Sequence, residues 1–229
     1  MRRPALVLFA VAALVELGGV AAGGHVLQWI AKPLLAPLLI WYLVQHGRRD
    51  AVTVGLAFAT AGDVVLLVPG KLWFLAGMAC FLGTQVSLIV AFLGKARPRT
   101  AAVIGYAVLW AGLNALLWGH LGPLRAPILG YSLALAAMAC AATGVSARVG
   151  LGGALFLGSD LLIGVGAAGL DFPGRDVVVM ATYAAALLLI ATGWARAGRR
   201  APAREATAQG AADGASVVPV PRPGPLPPR

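Results

Sequence analysis

Charge is what this sequence has least of. Only 11% of its 229 residues are Asp, Glu, Lys or Arg, and just 8 are acidic. A soluble domain carries roughly 25% charged residues, so this chain cannot cover a water-facing surface with charge. An ordinary soluble globular enzyme is thereby excluded. Histidine and cysteine are also scarce, at 3 and 2. Cys80 and Cys140 lie far apart inside apolar stretches, while His25, His46 and His120 fall at the ends of such stretches or in loops. There is no CxxC, HExxH or HxxxH spacing, so the sequence indicates no metal site, disulfide framework or cofactor. Glycine runs such as Gly150 to Gly153 follow no strand and are not phosphate loops. They read as small residues that let helices approach closely.

What is abundant is apolar: 60% of the residues are hydrophobic. They form eight blocks, near 4–22, 26–45, 51–69, 72–94, 101–119, 126–145, 149–168 and 176–195. Most match the ~20 residues that a helix needs to cross ~30 Å of hydrocarbon. The pattern predicts an all-α, polytopic membrane bundle of eight transmembrane helices over residues 1–196. Its linkers are only a few residues long, so consecutive helices are expected to be antiparallel neighbours. Residues 197–229 are rich in Pro, Ala and Arg, with no means of building a core. They read as a disordered, partly polyproline cytoplasmic tail.

The net charge of +10 follows topology rather than nucleic-acid binding, because no basic, aromatic-interleaved surface accompanies it. Counting alternate loops from the N-terminus, one side collects Arg2, Arg3, Arg48, Arg49, Lys95, Arg97, Arg99, Arg148, Arg196, Arg199, Arg200 and Arg204, twelve in all. The other side holds Lys71, Arg125 and Arg175. By the positive-inside rule both termini face the cytoplasm, in a membrane expected to be a bacterial-type plasma membrane. Arg2-Arg3, an apolar run and Val20-Ala21-Ala22 also fit a signal peptide, but Glu16 near the end of the run argues against cleavage.

Ionisable groups at membrane depth cost about 2.5–3.5 kcal/mol each on insertion scales, so each needs a reason. At ~1.5 Å of rise per residue, Asp63 lies about 18 Å above Ala51, Asp160 about 16 Å above Val149 and Glu16 about 18 Å above Pro4. Lys32 falls about 9 Å below Val26, at a comparable height in a ~30 Å core. Asn114, Tyr131 and Tyr183 come out alike. Polar groups from seven helices thus share one layer, expected to line a common cavity. The alternative is a structural ion-pair network, Lys32 with Asp63 for example. Gly62-Asp63-Val64-Val65-Leu66 also resembles Ser159-Asp160-Leu161-Leu162-Ile163, a weak repeat that suggests two parallel four-helix halves. Pro33 and Pro37, beside Lys32, are expected to bend the second helix.

Lys32-Pro33-Leu34-Leu35 with Pro37-Leu38, Gly62-Asp63 with Pro69, Phe74-Leu75-Ala76-Gly77 with Phe81, Leu155-Phe156 with Ser159-Asp160, and Thr182-Tyr183 with Gly193 occur in that order. In these motifs residues 4–195 resemble the YhhN-type lysoplasmalogenase family. The resemblance implies an integral membrane hydrolase. It would cleave the vinyl-ether bond of a lysophospholipid, releasing a fatty aldehyde and a glycerophospho-base. Gln85 stands where that family usually carries His, and Leu187 where it often carries Gln. A glutamine can hydrogen-bond but cannot shuttle a proton near neutral pH.

The chemistry suits the residues. Acid cleavage of a vinyl ether needs a proton donor for carbon and a base for water, the division of labour that paired carboxylates make in glycosidases. Asp63 and Asp160 are the candidate catalytic pair. Glu16, Lys32, Gln85, Asn114, Tyr131 and Tyr183 are candidates for binding substrate or lining the site. The same layer would also serve a small transporter or a lipid-binding membrane protein, with a midplane site between repeats.

One outcome follows from the charge bias. N-terminal sequencing of the purified protein should begin at Met1 or Arg2; a start at Gly23 would show a cleaved leader and leave seven spans.

Overall fold

The computed structural model describes residues 4–122 and 125–215. Arg2, Arg3 and the proline-rich residues 216–229 lie outside the described residues. Eight helices follow in order: α1 (Pro4–Ala21), α2 (His25–Gln45), α3 (Ala51–Val65), α4 (Lys71–Lys95), α5 (Thr100–Leu117), α6 (Arg125–Val145), α7 (Ala147–Ala167) and α8 (Arg175–Ala215). No strand occurs among the described residues. Seven of the helices are long and apolar enough to cross a membrane, and α3 is the shorter one. The protein is an integral membrane bundle.

Two boundaries differ from the expected blocks. α3 ends at Val65 rather than near 69, ahead of Pro69, which disfavours helical backbone at Val68 and is followed directly by a glycine in a non-helical conformation. The chain leaves through turn-type bonds, Leu67 N–H to Val64 C=O and Val68 N–H to Val65 C=O, both 3.2 Å. Gly70 follows at φ 130°, a backbone region closed to other residues. α8 extends as helix to Ala215, past the expected end near 195, in a stretch dominated by alanine, the best helix former. The chain divides into two units after Ala195, and the membrane bundle is the first of them.

Buried residues fall on stripes of helical spacing. In α1 they are Ala5, Phe9, Ala12, Glu16 and Gly19. In α3 they are Val52, Gly55, Leu56, Ala59, Gly62 and Asp63, and in α4 Gly77, Phe81, Thr84, Gln85, Leu88 and Phe92. The acidic and amide groups therefore sit on the packed faces, turned from lipid. α6 buries most of its C-terminal half, at Leu135, Ala136 and Met138 to Ala142. α5 is the opposite, since Asn114 is its one buried residue.

Consecutive helices pack as expected for α1 with α2, α2 with α3, α3 with α4, α5 with α6 and α6 with α7. The pair α4 and α5 does not follow that expectation. Both pack on α6 instead. The reason lies in the linker between them. Pro98 holds the chain extended, and the linker is laid over the end of α6 at Gly144. A Cβ on Gly144 would lie 2.8 Å from the Arg97 carbonyl oxygen and 3.0 Å from the Pro98 nitrogen. The linker thus carries α5 past α6, leaving a wedge of space between α4 and α5.

Gly144→Ala should accordingly destabilise the protein by about 1–3 kcal/mol, the usual cost of forcing backbone apart in a packed region. Thermal unfolding in detergent micelles reads this; an unchanged midpoint would mean that the linker is not held on α6.

Candidate active site

Asp63 reaches its position through two ties between α3 and α8. At the start of α3, Asp50 caps the helix by accepting from the Val52 N–H at 3.2 Å. Its other carboxyl oxygen accepts from Trp194 Nε1 at 2.8 Å and pairs with Arg48 at 2.8 Å. Arg48 also lies over the Trp194 ring, 4.8 Å from its centre. About three turns up α3 and down α8, the Tyr183 hydroxyl donates to Asp63 Oδ2 at 2.7 Å. The antiparallel helices are pinned at both levels, so carboxyl and hydroxyl meet at one height.

The Tyr183 ring is held in turn. Phe81 and Phe156 contact it edge-on at 5.9 and 5.7 Å and touch each other at 6.1 Å, the tilted geometry that aromatic rings prefer. Gly62 makes room for Phe81, because a Cβ there would lie 2.7 Å from the ring. Asp63 is consequently buried, 1% exposed.

Asp160 forms a second pair of the same kind. The Tyr131 hydroxyl of α6 donates to its Oδ2. Next to it, Ser159 ties α7 to α8 by donating to the Val179 carbonyl at 3.0 Å. Val179 and Tyr183 lie one turn apart on α8, so the ties to Ser159 and to Asp63 fall at neighbouring levels. Gln85 is fully buried, yet neither its amide nitrogen nor its amide oxygen closes a hydrogen bond.

Asp160 and Tyr131 border a cavity enclosing about 920 Å³, its open mouth included. It occupies the wedge between α4 and α5, with α6 and α7 behind. Its walls are apolar: Leu66, Phe74, Met78 and Phe81 on one side, Leu109, Leu113, Leu117 and Leu121 on the other. The polar exceptions are Asp160, Tyr131, Asn114, Ser132 and the Trp110 indole. Asn114 Nδ2 donates to the Trp110 carbonyl at 2.9 Å and to Ser132 Oγ at 3.2 Å. Trp110 Nε1 donates to Ser132 Oγ at 3.1 Å. Sequence reasoning passed over Ser132 and Trp110. Their signals were adjacency to Tyr131 and a one-turn spacing from Asn114.

The residues expected in one layer are therefore divided. Asn114, Tyr131 and Asp160 line the cavity. Asp63, Tyr183 and Gln85 lie buried outside its lining. Glu16 is 1% exposed on α1, with neither carboxyl oxygen hydrogen-bonded. Lys32 is half-buried on α2, which runs as helix through Pro33 and Pro37. It lies within electrostatic reach of Glu16 and Asp63. It makes no ion pair with either, the ion pairs among the described residues being those of Arg48 and Arg175.

Such a molecule is a helical membrane protein that keeps carboxyl groups in tyrosine-held pairs inside the bilayer, with apolar room beside one of them. The chain belongs to the YhhN family, whose profile matches residues 27–194. Over 194 residues it is 34% identical to proteins named Lysoplasmalogenase from Mycobacterium bovis and Mycobacterium tuberculosis, with 77% of this chain and 74% of each relative covered. It is 29% identical over 162 residues to the Bos taurus protein named Lysoplasmalogenase TMEM86A, covering 66% of this chain and 67% of that one. No solved structure matches it significantly.

The Asp63–Tyr183 pair carries a stability consequence. Tyr183→Phe keeps the ring packing but leaves a buried carboxyl without its donor, a loss of about 1–3 kcal/mol. A double-mutant cycle with Asp63→Asn should yield a coupling energy of about 0.5–3 kcal/mol. Additive effects in chemical unfolding would show that hydroxyl and carboxyl act independently.

Proposed function

We propose that this protein is a membrane hydrolase that cleaves the vinyl-ether bond of lysoplasmalogen-type lysophospholipids. The observation that carries the reading is Asp160, held by Tyr131 and bordering an apolar cavity. The relatives named lysoplasmalogenase support the substrate class.

The reaction adds one water. The acid transfers its proton to the alkenyl carbon distal to the ether oxygen. The double bond shifts to give an oxocarbenium ion. Water attacks that ion while the base takes a proton, leaving a hemiacetal. The hemiacetal then gives up its hydroxyl proton as the carbon–oxygen bond breaks and the glycerol oxygen is protonated. The products are an aldehyde and a glycerophospho-base.

Asp160, on the cavity wall, suits the donor role. The Tyr131 hydroxyl donates to Oδ2 and fixes the carboxyl, which leaves Oδ1 to carry the proton that is transferred, and geometry comes first in judging such a group. Asp63, buried beside it under Tyr183, suits the role of base. Tyr131 and Tyr183 fix the two carboxyls, and Gln85 offers an uncommitted amide to the hydrolytic water. A bilayer substrate accounts for a site placed among transmembrane helices. The charge bias supports cytoplasmic termini, and hence a cavity on the opposite side of the midplane.

Asp63→Asn and Asp160→Asn keep size and hydrogen bonding but abolish proton transfer. Each should lose at least about a hundredfold in aldehyde release while still inserting and folding. The assay is mass spectrometry of a lysolipid panel incubated with purified protein. Near-normal turnover in both variants would remove the aspartates from the chemistry, and a panel untouched by the unaltered protein would remove the activity.

A further inference from the structure

The cavity has direction as well as volume. Asp160 and Tyr131 mark one end, near mid-membrane. From there the walls follow the start of α4, the end of α5, the start of α6 and the end of α7. All of these lie at the face of the bundle away from Arg48, Arg49, Arg97, Arg99 and Arg148. Along that course the lining includes no charged side chain besides Asp160. A phosphate within this lining would find no cation to neutralise it, since Lys71, Arg125 and Arg175 of that face lie outside the lining, whereas a hydrocarbon chain would meet mostly apolar side chains. The cavity is open to the outside of the bundle: Leu109 belongs to its wall and is 42% exposed.

We propose that this cavity holds the single hydrocarbon chain of the substrate, entered sideways from the bilayer between α4 and α5, and that Gly164 determines which chains fit. The proposal rests on the hydrolase reading for the identity of the lipid, and on the wedge left by the Gly144 crossing for the doorway. The reacting carbon sits at Asp160 with the chain running outward. The glycerol side is left to the layer that holds the unpartnered Gln85 amide and Glu16 carboxyl. Gly164 lies one turn beyond Asp160 on α7 and lines the cavity. A Cβ added there meets nothing within 4 Å. A larger side chain would therefore enter the cavity itself rather than collide with a neighbouring helix.

Two measurements test this. In the first, Gly164→Leu and Leu109→Trp are compared with the unaltered protein on lysoplasmalogens of short and long alkenyl chain. Leu109 is partly exposed, so its variant is a second route should Gly164→Leu fold poorly. Each variant should raise the short-to-long ratio of kcat/KM at least about tenfold, the effect of denying roughly two methylene groups their burial. An unchanged ratio in both would overturn the assignment. In the second, a saturated 1-O-alkyl lysophosphoethanolamine with a diazirine at the chain end, which cannot be hydrolysed, is photolysed with the purified protein. Crosslinks should map to Phe74, Met78, Leu113 or Leu117 and fade in Gly164→Leu. Crosslinks confined to α1, α2 or α8 would overturn the proposal even if aldehyde is released. Crosslinks in the cavity without aldehyde release from vinyl-ether substrates would uphold the chain site and defeat the hydrolase reading alone.

Discussion

A carboxyl group inside a lipid-embedded bundle has no water to solvate it and must find its partner on another helix. That requirement organises this molecule. Asp63 takes its donor from α8 and Asp160 takes its donor from α6. The first bond joins helices distant in the chain and the second joins the neighbours α6 and α7, and each constrains a rotation that apolar packing alone leaves nearly free. The Asp50–Trp194 contact sets the height at which α8 meets α3. The three rings of Phe81, Phe156 and Tyr183 then hold the Tyr183 hydroxyl toward its carboxyl.

The second organising element is steric. Gly144 lets the α4–α5 linker cross directly over α6. Both helices then lean on α6 rather than on each other, and the space between them is the cavity. This explains why α5 buries so little of itself: it is a wall facing lipid on one side and a cavity on the other. A bundle in which every helix packed on its chain neighbour would have no such room next to Asp160.

Polar groups without partners contrast with these satisfied pairs. Gln85 and Glu16 are buried with every side-chain polar atom lacking a hydrogen bond, at a cost of about 1–3 kcal/mol for each such group. Stability alone favours leucine at both places. Two such groups kept without partners support the proposal that polar parts of a reactant are received there, with the apolar cavity left for the remainder of the same molecule.

Much of the architecture was legible in the residues alone, because hydrocarbon thickness and helical rise are fixed lengths. They determined the number of helices and the shared height of Asp63 and Tyr183. What a rise per residue cannot supply is azimuth, the direction in which a side chain leaves its helix. Tyr183 is 120 residues from Asp63 in the chain, and nothing local announces that they meet while Lys32 makes no ion pair. Helix lengths were read less well where a proline cut α3 short and alanines carried α8 onward. The separation of α4 from α5, and with it the cavity, was decided by tertiary structure. Gly144 shows the same limit, since its missing side chain matters only once a distant linker has folded over it.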